Sequence, residues 1–372
     1  MMKQRLASSS PMQFFPLQTS QIMLLVILAT LPAMLVATWF FGYGVILNVL
    51  FATLVGVLCE AAISRIRGRS VRATLADNSC LVTAVLFGMT IPPGTSWWLI
   101  VMGMVFAIAL VKHAYGGLGQ NTFNPAMAGY LFLLLAYPLD MTSWHLPAAA
   151  MNFNSASSPL GWQGFLQSLG CLFPFLPLLG DSLTVDGLAM ATPLIESKLA
   201  AGNAIKAALE EGTGLFARSS ETGWELINFA WLLGGLFLLV TRLISWHIPL
   251  SMIASTLIMS LLYYSPSAAA VLGTPYLHLF GSATMMGAFF IATDPVSAAT
   301  GSRAKIAYGI IIGVSLYSIR VWGSYLDAVA IAVLFGNFCA PLLDRLLAPR
   351  KYGHPGLFSK LLGDITTGKS SP

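Results

Sequence analysis

The sequence predicts an all-α polytopic membrane protein, with about ten transmembrane helices forming two inverted five-helix repeats around a long extracytoplasmic loop. Of its 372 residues, 56% are hydrophobic and only 9% are charged, unlike soluble domains. Its apolar runs approach the ~20 residues of a membrane helix and lack the alternation of barrel strands. Lysine and arginine concentrate in alternate loops, which indicates membrane orientation rather than a nucleic-acid surface.

Ten apolar runs account for the predicted crossings, five on each side of the loop. The sequence divides into residues 1–21, a cytoplasmic segment; 22–138, the first membrane half; 139–223, the loop; 224–345, the second half; and 346–372, a cytoplasmic tail. The runs are Ile22–Phe41, Val45–Ile63, Leu81–Ile91, Trp97–Val111, Ala126–Tyr137, Trp224–Ile244, Ile248–Tyr264, Tyr276–Ala292, Ile306–Ile319 and Ala328–Leu343.

The positive charges orient the predicted helices. With the N-terminus inside, fifteen of the 19 lysines and arginines fall on the cytoplasmic side, among them Arg65, Arg67, Arg69, Arg72 and Lys112. Only four fall on the opposite side: Lys198, Lys206, Arg218 and Arg320. The positive-inside rule therefore predicts cytoplasmic termini and an external loop.

Two pairs of similar segments indicate the repeat. Thr90-Ile91-Pro92 ends the third run as Thr293-Asp294-Pro295 ends the eighth, and residues 119–125 resemble residues 336–341. Corresponding breaks rich in glycine and proline are typical of inverted-repeat proteins with a site at the membrane midplane. Glycine and proline are also common in membrane helices generally.

The loop contains the stretch Asp-Gly-Leu-Ala-Met-Ala-Thr-Pro-Leu at residues 186–194. Its spacing alone favours an ordinary helix start, with Thr192 as the N-cap and Pro193 as the first helical residue. A similar Gly-Ser-Ala-Thr sequence ends at Thr284. That threonine lies inside the predicted eighth crossing, where its hydroxyl is expected to bond to the helix backbone.

Nearly the whole chain resembles the D subunit of the Rnf/Rsx electron-transport complex and, through it, the B subunit of the sodium-pumping NADH:quinone reductase. The resemblance rests on the ten-helix layout, residues 186–194, Gly-Gln-Asn-Thr-Phe-Asn-Pro-Ala at 119–126 and Ala-Thr-Asp-Pro-Val-Ser-Ala at 292–298. In that family an external transferase attaches FMN, through its phosphate, to the last threonine of Asp-x-x-(Ser/Thr)-Gly-Ala-Thr. The resemblance implies that Thr192 is the acceptor, with Asp186 and Ala191 also matching, whereas Ala189 and Met190 depart from the pattern.

Asn121 and Asn124 precede the fifth run and have two interpretations. Asparagine is a good helix cap, and its amide can also bond to a planar heterocycle. In the related reductase the matching asparagines lie near a non-covalent riboflavin, so the resemblance implies a possible second flavin here.

Acidic residues near membrane depth are candidates for ion or proton relays. Asp77, Asp294 and Asp327 lie close to the ends of predicted segments, and of these Asp294, which precedes Pro295, is chosen for this role. Glu60 and Asp344 are interpreted as interfacial partners of nearby arginines, and His113 as an interfacial residue. The four cysteines have no metal-type spacing, so no metal site is predicted.

These features together predict a flavoprotein subunit of a bacterial inner-membrane complex that couples electron transfer, between NADH and ferredoxin-type carriers or a redox target, to ion translocation. It would not be catalytic alone. The resemblance implies that its partners are the A, B, C, E and G subunits of the Rnf/Rsx complex and a flavin transferase, and that the FMN loop is periplasmic. The alternative is a stand-alone inverted-repeat transporter with no redox cofactor.

Overall fold

The computed structural model describes residues 18–117, 119–142, 144–145, 160–175, 189–190, 222–264, 274–323 and 328–348. The predicted all-α class is confirmed for this part of the chain, whose strands are limited to β1 (Trp144–His145) and β2 (Ala189–Met190). The helices before the loop are α1 (Thr19–Phe41), α2 (Gly44–Ile66), α3 (Val71–Leu75), α4 (Ser79–Thr90), α5 (Trp97–His113), α6 (Pro125–Ala136) and α7 (Pro138–Thr142).

The second part begins within the loop. It contains α8 (Trp162–Leu172), α9 (Thr222–Val240), α10 (His247–Leu262), α11 (Pro275–Phe280), α12 (Thr284–Met286), α13 (Ser302–Trp322) and α14 (Ala328–Leu346). Helix α12 continues as a π-helical turn, Gly287–Ile291, and α5 is π-helical over Phe106–His113.

Five of the described helices, α1, α2, α9, α13 and α14, are long and apolar enough to cross a membrane. The apolar helices α4, α5, α6 and α10 are shorter. The twelve residues of α6 rise only about 18 Å, less than the ~30 Å hydrocarbon core. The chain is therefore a multi-pass membrane protein, while ten full crossings stay a prediction.

Glycine allows close helix contacts within each half. A Cβ added at Gly88 of α4 would lie 2.7 Å from the Cα of Val49 in α2. In the second half, a Cβ at Gly313 of α13 would lie 2.5 Å from the Met252 carbonyl oxygen of α10. Small residues bring membrane helices together in this way because apolar side chains gain little by leaving lipid.

The two halves meet where α1 packs antiparallel against α9. Phe40, near the end of α1, touches Gly223 at the start of α9, while the Ala29 carbonyl oxygen faces Gly234 further along. Hence the end of α1 and the start of α9 share one side of the molecule, here called the loop face, with Trp144. The opposite side, which carries Arg65, Arg67 and Arg69 at the end of α2, is called the arginine-rich face.

The predicted eighth crossing, Tyr276–Ala292, is wrong as a single segment. Helix α11 ends at Phe280, and the chain turns through Gly281 to Ala283 before α12 begins. The break is stabilised by side chains, because the Thr284 hydroxyl donates to the His278 carbonyl oxygen at 2.6 Å. A hydropathy pattern averaged over a membrane-length window does not reveal such a break, since only three residues, Gly281 to Ala283, interrupt the apolar run.

Candidate functional site

A cleft lies between the two halves and reaches the loop face. Its walls combine α1, α4 and α6 of the first half with α9, α12 and α14 of the second. Five aromatic side chains line it: Phe41, Tyr130, Trp144, Trp224 and Trp231. We call it the aromatic cleft.

Three of these rings form a cluster at the loop-face end of the cleft. The Trp144 centroid lies 5.6 Å from Phe41 and 4.9 Å from Trp224, and the Phe41–Trp224 separation is 5.2 Å. Such tilted and edge-on contacts are the favoured geometry of aromatic pairs. The cluster supplies flat apolar surfaces at the boundary between the halves.

Two buried polar atoms in the cleft have no hydrogen-bond partner among the described residues: Trp144 Nε1 and Asn228 Oδ1. The amide nitrogen of Asn228 is engaged, donating to the Phe280 carbonyl oxygen at 2.7 Å and to the Trp224 carbonyl oxygen at 3.0 Å. Unpaired buried polar atoms are costly. A donor and an acceptor therefore remain for a ligand with complementary polar edges.

The long loop returns to this cleft through a short strand pair. Trp144–His145 pairs antiparallel with Ala189–Met190, and Trp144 is opposite Met190. Met190 precedes the predicted FMN acceptor Thr192 by two residues. Thr192, Ala191 and Asp186 lie outside the described residues, so their predicted roles stay predictions.

Asn124 lies next to Ile291, which lines the aromatic cleft, and Asn121 is three residues earlier in the chain. Asn124 caps α6, since its Oδ1 accepts from the Met127 backbone N–H at 3.3 Å, and its Nδ2 donates to the Ile291 carbonyl oxygen at 3.4 Å. The cap interpretation of Asn124 is therefore confirmed. The Nδ2 of Asn121 donates to the Phe123 carbonyl oxygen, whereas its buried Oδ1 has no partner among the described residues.

Asp294 follows the π-helical turn that ends at Ile291. Its Oδ2 accepts a 2.6 Å hydrogen bond from the Ser297 hydroxyl, and the side chain is half-buried. Nearby in the second half, the buried Tyr308 hydroxyl donates to Asn337 Oδ1 at 2.6 Å. Asp294 is thus held in a polar break between helices, as the repeated Thr-x-Pro pattern predicted.

The interpretation of Glu60 as an interfacial partner of an arginine is wrong. Glu60 is fully buried, and its Oε1 lies 2.6 Å from Lys112 Nζ, 52 residues away. His113, predicted to be interfacial, is 2% exposed and lies beside the same carboxylate. Lys112 therefore acts as a partner of a buried acid, not as a loop charge.

Two further predictions need correction. Asp344 accepts backbone N–H bonds from Thr300 and Gly301, rather than pairing with an arginine. Arg320, counted among the external loop charges, is 2% exposed near the end of α13. Its guanidinium donates to the hydroxyls of Thr284 and Ser282.

Thr284 has no exposed hydroxyl for an external enzyme to modify. Its side chain is fully buried, and its oxygen both donates to the His278 carbonyl and accepts from Arg320. This agrees with the expectation that its hydroxyl bonds to the backbone, and a hydroxyl engaged in this way is not available as a flavin acceptor.

The fold and the cleft define a multi-pass helical membrane protein with a largely apolar, aromatic cleft between its halves. The chain belongs to the NQR2, RnfD, RnfE family, whose model matches residues 6–353. It is similar to the D subunit of the ion-translocating oxidoreductase complex of Aeromonas hydrophila, with 44% identity over 359 residues, covering 93% of this chain and 98% of the relative. The protein of the same name from Aliivibrio salmonicida is 45% identical over 356 residues, with the same coverage.

Proposed function

We propose that the chain is a subunit of a bacterial inner-membrane oxidoreductase complex that couples electron transfer to ion translocation. It is a component of the complex and not a catalyst alone. Family membership supports this role, as do relatives, matched over 98% of their length, that bear the name of the D subunit of an ion-translocating oxidoreductase complex. In this proposal electrons travel between NADH and ferredoxin-type carriers or a redox target, through FMN covalently bound to Thr192.

The observation that carries the flavin proposal is the strand pair that brings the loop to the aromatic cleft. It holds Met190 opposite Trp144, whose ring lines the cleft. Thr192 is two residues further along the chain, a reach of about 7 Å in an extended backbone. A group attached to Thr192 therefore has a short path to the cleft.

The described residues offer groups that an isoalloxazine ring can contact, although the cleft itself encloses only about 70 Å³. Phe41, Trp144 and Trp224 offer apolar faces for a planar heterocycle, and the unpaired Trp144 Nε1 and Asn228 Oδ1 offer a donor and an acceptor for its polar edge. When bound, FMN supplies the one- and two-electron redox chemistry. The protein orients the ring, excludes water and limits solvent access to it.

A second, non-covalent flavin of the riboflavin type is proposed near Asn121. The unpaired Asn121 Oδ1 supports this assignment, whereas the amide of Asn124 is committed to the helix cap and to Ile291.

Asp294 is proposed as a residue of the ion pathway, in the second half of an inverted repeat. The observed helix directions support the repeat, because α1 and α9, the first helices of the two halves, run antiparallel. The finer proposal places both termini in the cytoplasm and the FMN loop in the periplasm. The proposed partners of the chain are the lipid bilayer, the A, B, C, E and G subunits of the complex, and a flavin transferase.

The rival is a stand-alone transporter of the same architecture without a redox cofactor. Flavin fluorescence of the purified, denatured chain separates the two, because only a covalent flavin survives denaturation and electrophoresis. Fluorescence on the chain supports the proposal. Its absence from chain isolated with an active transferase would favour the rival.

The location of the ring is tested with Trp144→Ala, which removes one wall of the cleft. We expect both this variant and the exposed control Trp162→Ala to keep their covalent label. Only Trp144→Ala should lower the fluorescence anisotropy of the native flavin, since the ring gains freedom. Equal anisotropy in both variants would place the flavin elsewhere.

A further inference from the structure

A second cavity opens on the arginine-rich face, far from the aromatic cleft. It measures about 340 Å³. Glu60, Asp77 and His113 line it, together with Arg69. Its volume is sufficient for several waters, each of which occupies about 30 Å³ in the liquid. None of the functions proposed above uses this cavity.

A buried network connects the two carboxylates at this cavity. Lys112 Nζ donates to Glu60 Oε1 at 2.6 Å and to the Ser79 hydroxyl at 2.7 Å. The Ser79 hydroxyl in turn donates to Asp77 Oδ1 at 2.6 Å. The network joins α2, the start of α4 and the end of α5.

The ion pair does not account for every buried polar atom here. Glu60 Oε2, both ring nitrogens of His113 and the Ser64 hydroxyl have no hydrogen-bond partner among the described residues. His113 Nε2 is 3.4 Å from Glu60 Oε1, within ion-pair distance of the carboxylate when the imidazole is protonated. A purely structural clamp requires only Lys112 and Glu60, so the imidazole and the second carboxylate oxygen need another role.

We propose that Glu60 and His113 form a proton-exchange site that communicates with the arginine-rich face through this cavity. A proton from hydronium or a buffer acid in the cavity would bind an imidazole nitrogen of His113, giving an imidazolium beside the Glu60 carboxylate. It would leave by the reverse step or pass to Glu60 Oε2. No electron is transferred, and no bond other than those to this proton changes.

The surrounding groups favour a proton over a sodium ion. Lys112 already occupies Glu60 Oε1, so a metal cation at this carboxylate would have only Glu60 Oε2 as a ligand from it. Hard cations also prefer oxygen ligands, whereas imidazole is the side chain that changes charge near neutral pH. Arg69, another basic residue that lines the cavity, donates to the Gly116 carbonyl oxygen.

The other groups that face Glu60 are compatible with this assignment. Asp77 is linked to it through Ser79 and Lys112, and the Cys59 and Cys80 thiols lie close to it. They surround the carboxylate from α2 and α4. The inference rests on the proposed function only in assigning the exchanged proton to ion translocation; the proton site itself is independent of the flavin.

The direct test is nuclear magnetic resonance of the full chain in lipid nanodiscs, with its five histidines labelled with ¹⁵N in the ring. His113→Gln assigns the relevant signals, and His247→Gln is the matched control, a half-buried histidine at the start of α10. We expect the His113 signals to shift with pH, to change in Glu60→Gln, and to stay fixed when potassium replaces sodium.

Two results would overturn the proposal. A His113 response to sodium at constant pH would identify a metal-cation site, and no response to either pH or sodium would identify a structural ion pair. In the whole complex, His113→Gln should lower ion translocation at least tenfold relative to His247→Gln while the flavin label is retained. Loss of the label in every chain, including the wild type, would instead contradict the proposed function and leave the nuclear magnetic resonance result valid.

Discussion

Replacing Lys112 with methionine should strongly destabilise the protein, because it leaves the fully buried Glu60 carboxylate without its cation. The side chains of Lys112 and Glu60 are 3% and 0% exposed, so only water in the neighbouring cavity could reach the remaining charge. Breaking such a buried pair costs about 3–5 kcal/mol. Methionine retains most of the lysine volume, which limits the contribution of lost packing.

The assay is equilibrium unfolding of the full chain in mixed micelles, measured for single and double variants. Glu60→Met combined with Lys112→Met should recover most of the stability, since apolar replacement of a whole buried pair is often neutral or better. Arg303→Met, at an exposed site, is the control and should change stability by less than about 0.5 kcal/mol. A loss below about 1 kcal/mol in Lys112→Met, with no recovery in the double variant, would refute the reasoning.

Three further predictions concern packing, ion coupling and orientation. Gly313→Leu should destabilise the chain by more than about 1 kcal/mol in the same unfolding assay, because even the Cβ of the new side chain would lie 2.5 Å from the Met252 carbonyl oxygen. Asp294→Asn should impair ion transport by reconstituted complex more than in-gel flavin labelling, and equal loss of both would indicate a structural role instead. Alkaline phosphatase fused at Gly214 should be active and at Lys351 inactive, and the opposite pattern would reverse the proposed topology.

The sequence predicted the helical class and most helix positions because apolar runs of sufficient length have few alternatives in a membrane. It also identified Asn124 as a candidate cap, because an asparagine followed by proline is a local signal for a helix start. Such properties depend on residues that are neighbours along the chain.

The environment of Glu60 could not be predicted in the same way. Arg65 and Arg67 are its closest basic residues in sequence, but its partner Lys112 is 52 residues away, on another helix. Pairing across helices depends on their packing and register, which a single sequence does not specify. His113 was misjudged for the same reason, since it follows Lys112 into the buried network.

The aromatic cleft depends on a similar long-range arrangement. Trp144 lies near the start of the long loop and Trp224 directly after its end, and in the sequence each resembles an ordinary interfacial aromatic residue. Only the packing of α1 against α9 brings both rings against Phe41. The unpaired atoms of Trp144 and Asn228 become apparent only once the hydrogen bonds of the described residues are known.

The most direct test of the central claim is the mass of the chain carrying Thr192→Val, a substitution that preserves shape and removes the hydroxyl. We expect the wild type and Thr284→Val to carry one FMN phosphoester and to fluoresce in a denaturing gel. Thr192→Ser should retain some label, since it keeps a hydroxyl. Thr192→Val should have the mass of the unmodified chain while remaining in the membrane. An FMN adduct on Thr192→Val would contradict the account.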